Sequence, residues 1–261
     1  MRGICLKKIL FFDVDGTLLN SKKEIPESTK EALQLARLNG YELAIATGRG
    51  PFMIKDLLAE LEINSYVCFN GQYVVYKGEV IFTDSVTVTQ LDEIVSYGAT
   101  RSIDFVFLND REMVANENGN LRVAESLATL KYPYPRVEPD FYKKQAVYQT
   151  LVFIDAEQEP DFRAAFPDVQ FVRWHKYSCD ILPKGGSKAR GIEKFVEAAG
   201  VLMVDTVGFG DGLNDIEMLE SVGLGVAMGN AHPEALAMAD VIAPHVDEDG
   251  VYKIMKQLRY I

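Results

Sequence analysis

The sequence predicts an α/β fold: a doubly wound, Rossmann-like parallel-sheet core with a smaller α+β domain inserted into it. Three observations carry that prediction. The two flanks share one grammar of short apolar runs alternating with helical periodicity, the middle lacks it, and neither flank alone has enough strands for a full doubly wound sheet. The core is therefore assigned to 1–83 and 184–261, and the insert to 84–183. A length of 261 residues suits one large domain or two unequal ones.

The elements follow in order. Residues 8–12, Lys-Ile-Leu-Phe-Phe, form an apolar run that stops at Asp13-Val-Asp-Gly-Thr17 and reads as a buried strand emptying into a loop. Pro26 opens a helix with Ala32, Leu35, Ala36 and Leu38 at near-helical spacing, and Asn39-Gly40 stops it. A strand over 41–47, a helix over 51–62 and a strand over 66–69 complete a β-α-β-α-β run, which implies a parallel sheet. In the last third Ser187 is the expected N-cap of a helix with Ile192, Phe195, Val196 and Ala199 on one face. Strands at 206–209, 224–227 and 241–243 alternate with a helix through Ile216, Leu219 and Val222 and one from Pro233. A last amphipathic helix carries Val251, Ile254, Met255 and Leu258. The middle has β-like runs at 105–108, 150–154 and 169–174 and a Pro/Tyr-rich loop at 131–139.

Composition excludes several classes of function. With 48% hydrophobic and 25% charged residues the chain has a full globular core and is not disordered. A net charge of −11 repels phosphate backbones and anionic lipid, so neither nucleic acid nor membrane is an expected partner. An anionic ligand would need local positive charge from Lys, Arg or a metal ion. No apolar run approaches the roughly 18 residues that span a bilayer, so no signal peptide or anchor is expected. Cys5, Cys68 and Cys179 are odd in number and far apart, which fits a reduced cytoplasm, and three histidines do not make a zinc site.

In an open parallel sheet ligands bind at the carboxyl ends of strands, so polar residues just after apolar runs are the candidates. They are Asp13 and Asp15, Thr47 with Gly48, Lys188 at a helix start, and Asp211, Asn214 and Asp215. The ordered set Phe12-Asp-Val-Asp-Gly-Thr-Leu18, Ala46-Thr-Gly-Arg49, Gly186-Ser-Lys188, Gly208-Phe-Gly-Asp-Gly-Leu-Asn-Asp215 and Gly225-Val-Ala-Met-Gly229 resembles the haloacid dehalogenase superfamily of phosphotransferases. Within it the resemblance is to the Cof-type, type IIB capped sugar-phosphate phosphatases, over nearly the whole chain, and it implies that the insert is a cap.

The chemistry explains the residue types. A carboxylate attacking a phosphate monoester brings negative charge toward a dianion, so cations must neutralise the oxygens and hold attack in line. Oxygen ligands select a hard ion, Mg²⁺, held by the Asp13 and Asp211 carboxylates and, as the resemblance implies, the backbone carbonyl of Asp15. The resemblance has Asp215 hold metal-bound water or the lysine ammonium. Lys188 adds a fixed charge, and Thr47 donates to a phosphoryl oxygen. Asp13 is the expected nucleophile of an aspartyl-phosphate route, and Asp15 the acid and base, which requires a raised pKa. The resemblance gives Asn214 the orientation of phosphate or of Lys188. The expected substrate is a small phosphate monoester, with hexose phosphates favoured by the resemblance, acted on by a monomer or weak homo-oligomer. A sugar phosphomutase and a non-catalytic phospholigand-binding regulator stand as alternatives.

Each residue has an ordinary role as well. An aspartate after a strand caps helices, Thr47 can cap the next helix, Lys188 can be solvated, and Asp215 suits a first helical turn. Arg49 either touches phosphate or pairs with an acid. In the insert, Arg173-Trp-His-Lys-Tyr177 suits a sugar ring, although Trp174 reads as core and His175 as a hydrogen-bonded histidine. Tyr132, Tyr134 and Tyr142 are expected to pack or to line a loop.

Overall fold

The computed structural model describes residues 8–261; Cys5 lies outside the described residues. Two compact units are formed. One comprises residues up to Arg49, Met53–Phe82 and Ser187–Ile261, the other Gly50–Phe52 and Thr83–Gly186. In chain order the strands of the described residues are β1 (Ile9–Phe12), β2 (Glu42–Ala46), β3 (Tyr66–Cys68), β4 (Tyr73–Tyr76), β5 (Glu79–Thr83), β6 (Phe105–Leu108), β7 (Met113–Ala115), β8 (Gln149–Val152), β9 (Val169–His175), β10 (Ser178–Pro183), β11 (Thr206–Gly210), β12 (Leu224–Ala227) and β13 (Val241–Ile242).

The first unit holds an eight-stranded sheet in the order β13-β12-β11-β1-β2-β3-β4-β5. Pairing is parallel from β13 across to β3 and turns antiparallel at β4. β1 is buried at every residue, as a parallel strand covered on both faces must be. Phe11 meets Phe195 of the Lys188–Ala199 helix edge-on at 5.0 Å, and Phe12 stacks on Phe209 at 4.5 Å. Chain order runs one way from β1 through β2 and β3 and the other way through β11 to β13. That reversal is the switch point at which doubly wound folds bind ligands.

The second unit is a five-stranded antiparallel sheet in the order β7-β6-β8-β10-β9. Phe105, Phe107, Phe162, Phe171 and Ile181 form its core with the Val88–Ala99 helix. The architecture is the α/β class that the sequence predicts. The expected helix at 51–62 is instead a 3₁₀ turn, Pro51–Met53, and a short helix, Lys55–Glu60. β4 and β5, unforeseen from periodicity, are joined at Lys77-Gly78, both with positive φ, 52° and 85°. β7 and β10 are also additions, one very short and the other carrying Ser178 and Asp180 among its apolar residues.

Candidate active site

Asp13 follows β1, Thr47 follows β2 and Asp211 follows β11. Because β1 pairs in parallel with both neighbours, with Phe12 in register with Phe209 and Ile45, these three residues emerge at one rim. The Asp13 N–H donates to the Phe209 carbonyl at 2.8 Å, which fixes the turn out of the strand.

Lys188 arrives from another direction. The Ser187 hydroxyl accepts from the Arg190 N–H at 3.3 Å and caps the helix, so Lys188 is its first residue. A lysine there opposes the helix dipole and is fully enclosed, which burial alone would penalise heavily. Two carboxylates offset that cost: Nζ donates to Asp13 Oδ1 and Asp215 Oδ1, each at 2.6 Å. Burial acts to lower the ammonium's pKa, but the two acids outweigh it and hold it above the ordinary lysine range. Lys188 is not a solvated surface lysine.

Asp215 is also spent on its second oxygen, which accepts from the backbone N–H groups of Asp211 and Gly212 at 2.9 and 2.8 Å. Asp211 accepts from Thr17 Oγ1 and Asn230 Nδ2, both at 3.3 Å, while Asn230 also donates to the Gly16 carbonyl at 2.8 Å. Gly16 has a φ of 83°, and a Cβ there would lie 2.1 Å from Asp211 Oδ2, so only glycine lets the two loops meet.

Asp13, Asp211 and Asp215 each offer a carboxylate oxygen within 4.8 Å of the others. One ammonium faces three acids. Burial, then the charges of Asp215 and Asp211, push Asp13 well above the carboxylate range despite Lys188, and burial with Asp215 raises Asp211 to about 7. The all-oxygen donor set and the unbalanced charge both fit a hard divalent cation.

Asp15 differs from expectation. Arg49 clamps it with two bonds, Nε to Oδ2 and a terminal nitrogen to Oδ1, both 2.7 Å, and Lys23 Nζ adds a third at 2.7 Å. Burial would raise its pKa, but Arg49 and Lys23 reverse that and hold the carboxyl below its ordinary value. This arrangement favours the ionised carboxylate over the protonated form that an acid role requires. Arg49 is thus an acid-pairing residue here.

Thr47 is buried, with Oγ1 accepting from the Arg49 N–H at 3.2 Å. Asn214 Nδ2 donates to Asn70 Oδ1 at 2.9 Å, across 144 residues of chain. Neither Asn70 nor Asn230 is among the candidates drawn from sequence. The dipeptide Asn70-Gly71 is a turn signal that points to the first; Asn230, directly after the Gly225–Gly229 motif, carries no signal of its own.

In the second unit, Arg173 bonds Glu159 and the carbonyls of Ile154, Asp155, His175 and Lys176, a structural role. His175 Nδ1 lies 2.8 Å from Ser126 Oγ, and burial lowers its pKa. Trp174 is half-buried, with no hydrogen-bond partner for its indole N–H. Tyr142 donates to Asp92 at 2.6 Å, Tyr134 to the Glu117 carbonyl at 2.9 Å, and Tyr132 meets Phe52 edge-on at 6.3 Å.

The doubly wound sheet gathers three acids and a buried lysine at its rim, and fold and site together define the class, an α/β enzyme. The chain belongs to the haloacid dehalogenase-like hydrolase family, whose profile matches residues 10–255, and is a phosphatase of that family. It is 41% identical over 251 residues to YkrA of Bacillus subtilis (strain 168), covering 96% of this chain and 97% of that one. The pyridoxal phosphate phosphatase YbhA of Escherichia coli (strain K12) is 30% identical over 94% of this chain and 96% of its own. The solved structure of the subclass IIB sugar phosphatase BT4131 is 32% identical with a TM-score of 0.88, covering 98% and 100% of the two chains. No helix among the described residues is long and apolar enough to cross a membrane.

Proposed function

We propose that this protein is a cytoplasmic, Mg²⁺-dependent phosphatase of small phosphate monoesters, sugar phosphates foremost, working through a phosphorylated Asp13. The observation that carries the reading is the bridge from Lys188 to Asp13 and Asp215 at 2.6 Å, beside Asp211. The likeness to BT4131 supports a sugar phosphate as substrate, and the likeness to YbhA adds pyridoxal phosphate to the candidates.

Asp13, Asp211 and the Asp15 carbonyl would hold the metal, with Asp215 behind them. Bound Mg²⁺ supplies positive charge to the phosphoryl oxygens and lowers the repulsion between two anions. Asp13 forms a bond to phosphorus while the ester oxygen leaves with the bonding pair, and water then breaks the acyl phosphate. Lys188 keeps Asp13 oriented and its charge in place. Thr47 and Asn214 donate to phosphoryl oxygens. Asp15 begins ionised, the form suited to taking a proton from the hydrolytic water, and donation to the leaving oxygen requires Arg49 to release it. The 84–183 domain acts as the cap that selects the leaving group.

Hydrolysis of para-nitrophenyl phosphate tests the reading. Release of nitrophenol is expected with Mg²⁺ and is lost with EDTA and in Asp13→Asn; activity that survives both changes disposes of it. A panel of sugar phosphates, nucleotides and pyridoxal phosphate then ranks the substrates.

A further inference from the structure

The turn after β3 places non-glycine residues in the left-handed region of backbone space. Phe69, Asn70 and Gly71 all have positive φ, at 52°, 50° and 99°. Two successive non-glycine residues in the left-handed region persist only where surrounding contacts over-determine them, and such places cluster at functional sites.

The contacts that hold this turn lead to three separate parts of the site. The Phe69 N–H donates to the Arg49 carbonyl and the Asn70 N–H to the Thr47 carbonyl, both at 3.1 Å, which stitches the turn to the loop after β2. Gly71 packs on the start of the Lys188 helix so closely that a Cβ would stand 2.0 Å from the Ser187 carbonyl oxygen. The Asn70 side chain, itself buried, accepts from Asn214 Nδ2 at 2.9 Å, and a Cβ on Gly48 would come within 3.1 Å of its amide nitrogen. One amide therefore stands between the loop that carries Thr47 and the segment that carries Asn214.

We propose that Asn70 is a positioning residue for phosphoryl transfer: its side-chain carbonyl sets the amide of Asn214 against the Thr47–Gly48 loop, so that groups from distant motifs address one phosphoryl group. The proposal rests on the reading of Thr47 and Asn214 as phosphate-binding residues. It also accounts for the left-handed backbone at Asn70. Asparagine tolerates the left-handed region better than most residues, and here it is the residue whose side chain is used.

Asn70→Gly removes the amide and keeps the backbone conformation, since glycine enters the left-handed region freely. With para-nitrophenyl phosphate and Mg²⁺, kcat is expected to fall about tenfold or more, the scale of one hydrogen bond to a charged group, while the thermal midpoint stays within a few degrees. A purely structural role moves the midpoint and leaves the kcat of folded enzyme unchanged. The cycle with Asn214→Ala identifies the route: the double variant is expected to be no slower than Asn214→Ala alone. Wild-type kcat in Asn70→Gly overturns the proposal, as do losses that multiply in the double variant. If Asn70→Gly does not fold, Asn70→Asp takes its place, because its carboxylate still accepts from Asn214. Its kcat is expected within about threefold of wild type, consistent with one retained hydrogen bond, and a loss as large as that of Asn214→Ala overturns the proposal. Inactive wild-type protein would instead defeat the phosphatase reading itself.

Discussion

Lys188 Nζ lies 2.6 Å from Asp13 Oδ1 with the lysine wholly enclosed, so the charge of the proposed nucleophile and that of its partner depend on each other. Replacing the ammonium strands two carboxylates in a space that excludes water. Lys188→Met is expected to lose at least about a hundredfold in hydrolysis, as when a single charge-stabilising donor is removed. It should also destabilise the protein by about 3–5 kcal/mol at neutral pH, recovering on acidification as the stranded acids take up protons. Melting curves at pH 5 and 7.5 and steady-state kinetics check both, and a variant with wild-type rates contradicts the assignment of Lys188.

The acid cluster makes stability depend jointly on pH and metal. Asp211 titrates at about 7 in the folded protein, against an unfolded value near 4, so the folded state binds more protons between those limits. The metal-free protein is therefore expected to lose stability as pH rises from about 4 to 7, and Mg²⁺ to restore it most above that range. Thermal shifts with and without Mg²⁺ at pH 5.5 and 7.5 measure this. A Mg²⁺-induced shift that is equal at both values contradicts the cluster as the metal site.

Thr17 donates its hydroxyl to Asp211 Oδ1 at 3.3 Å. Thr17→Val preserves shape and removes the donor, so apparent Mg²⁺ affinity should fall about tenfold, the usual effect of losing a group that orients a metal ligand. Saturating Mg²⁺ should return kcat to near the wild-type value. Titration of activity against Mg²⁺ distinguishes this from a plain loss of fold.

Arg173 serves Glu159 and four backbone carbonyls within the second unit. Arg173→Met is expected to cost about 2–3 kcal/mol of stability, since those acceptors lose a charged donor. The ranking of substrates should stay unchanged. A variant of unaltered thermal midpoint but changed substrate preference would assign Arg173 to the ligand instead.

The rim of the sheet was legible because Asp13 and Asp211 each follow an apolar run, and parallel pairing of β1 with both neighbours leaves those ends nowhere else to go. Lys188 was legible from its motif. Its enclosure was not, because helix periodicity reports which face is apolar and says nothing of a first-turn side chain bonded to Asp13 and Asp215. The state of Asp15 was hidden for a related reason. It depends on Arg49 and Lys23, one on the next loop and one in an irregular segment, and charge pairing of that kind has no spacing rule. Asn70 was hidden in a dipeptide that ordinarily marks a turn and nothing more. β4 and β5 went unseen because their short runs resemble loop, although Lys77-Gly78 between them has the positive φ values of a tight hairpin turn.

The central claim is that Asp13 becomes phosphorylated. The most direct measurement is acid quenching of enzyme turning over substrate with Mg²⁺, followed by borohydride reduction and peptide mass spectrometry, which converts an aspartyl phosphate to homoserine. Homoserine at position 13, absent without substrate, is the predicted result. Homoserine at another aspartate, or none at any position under conditions where phosphate is released, contradicts the account.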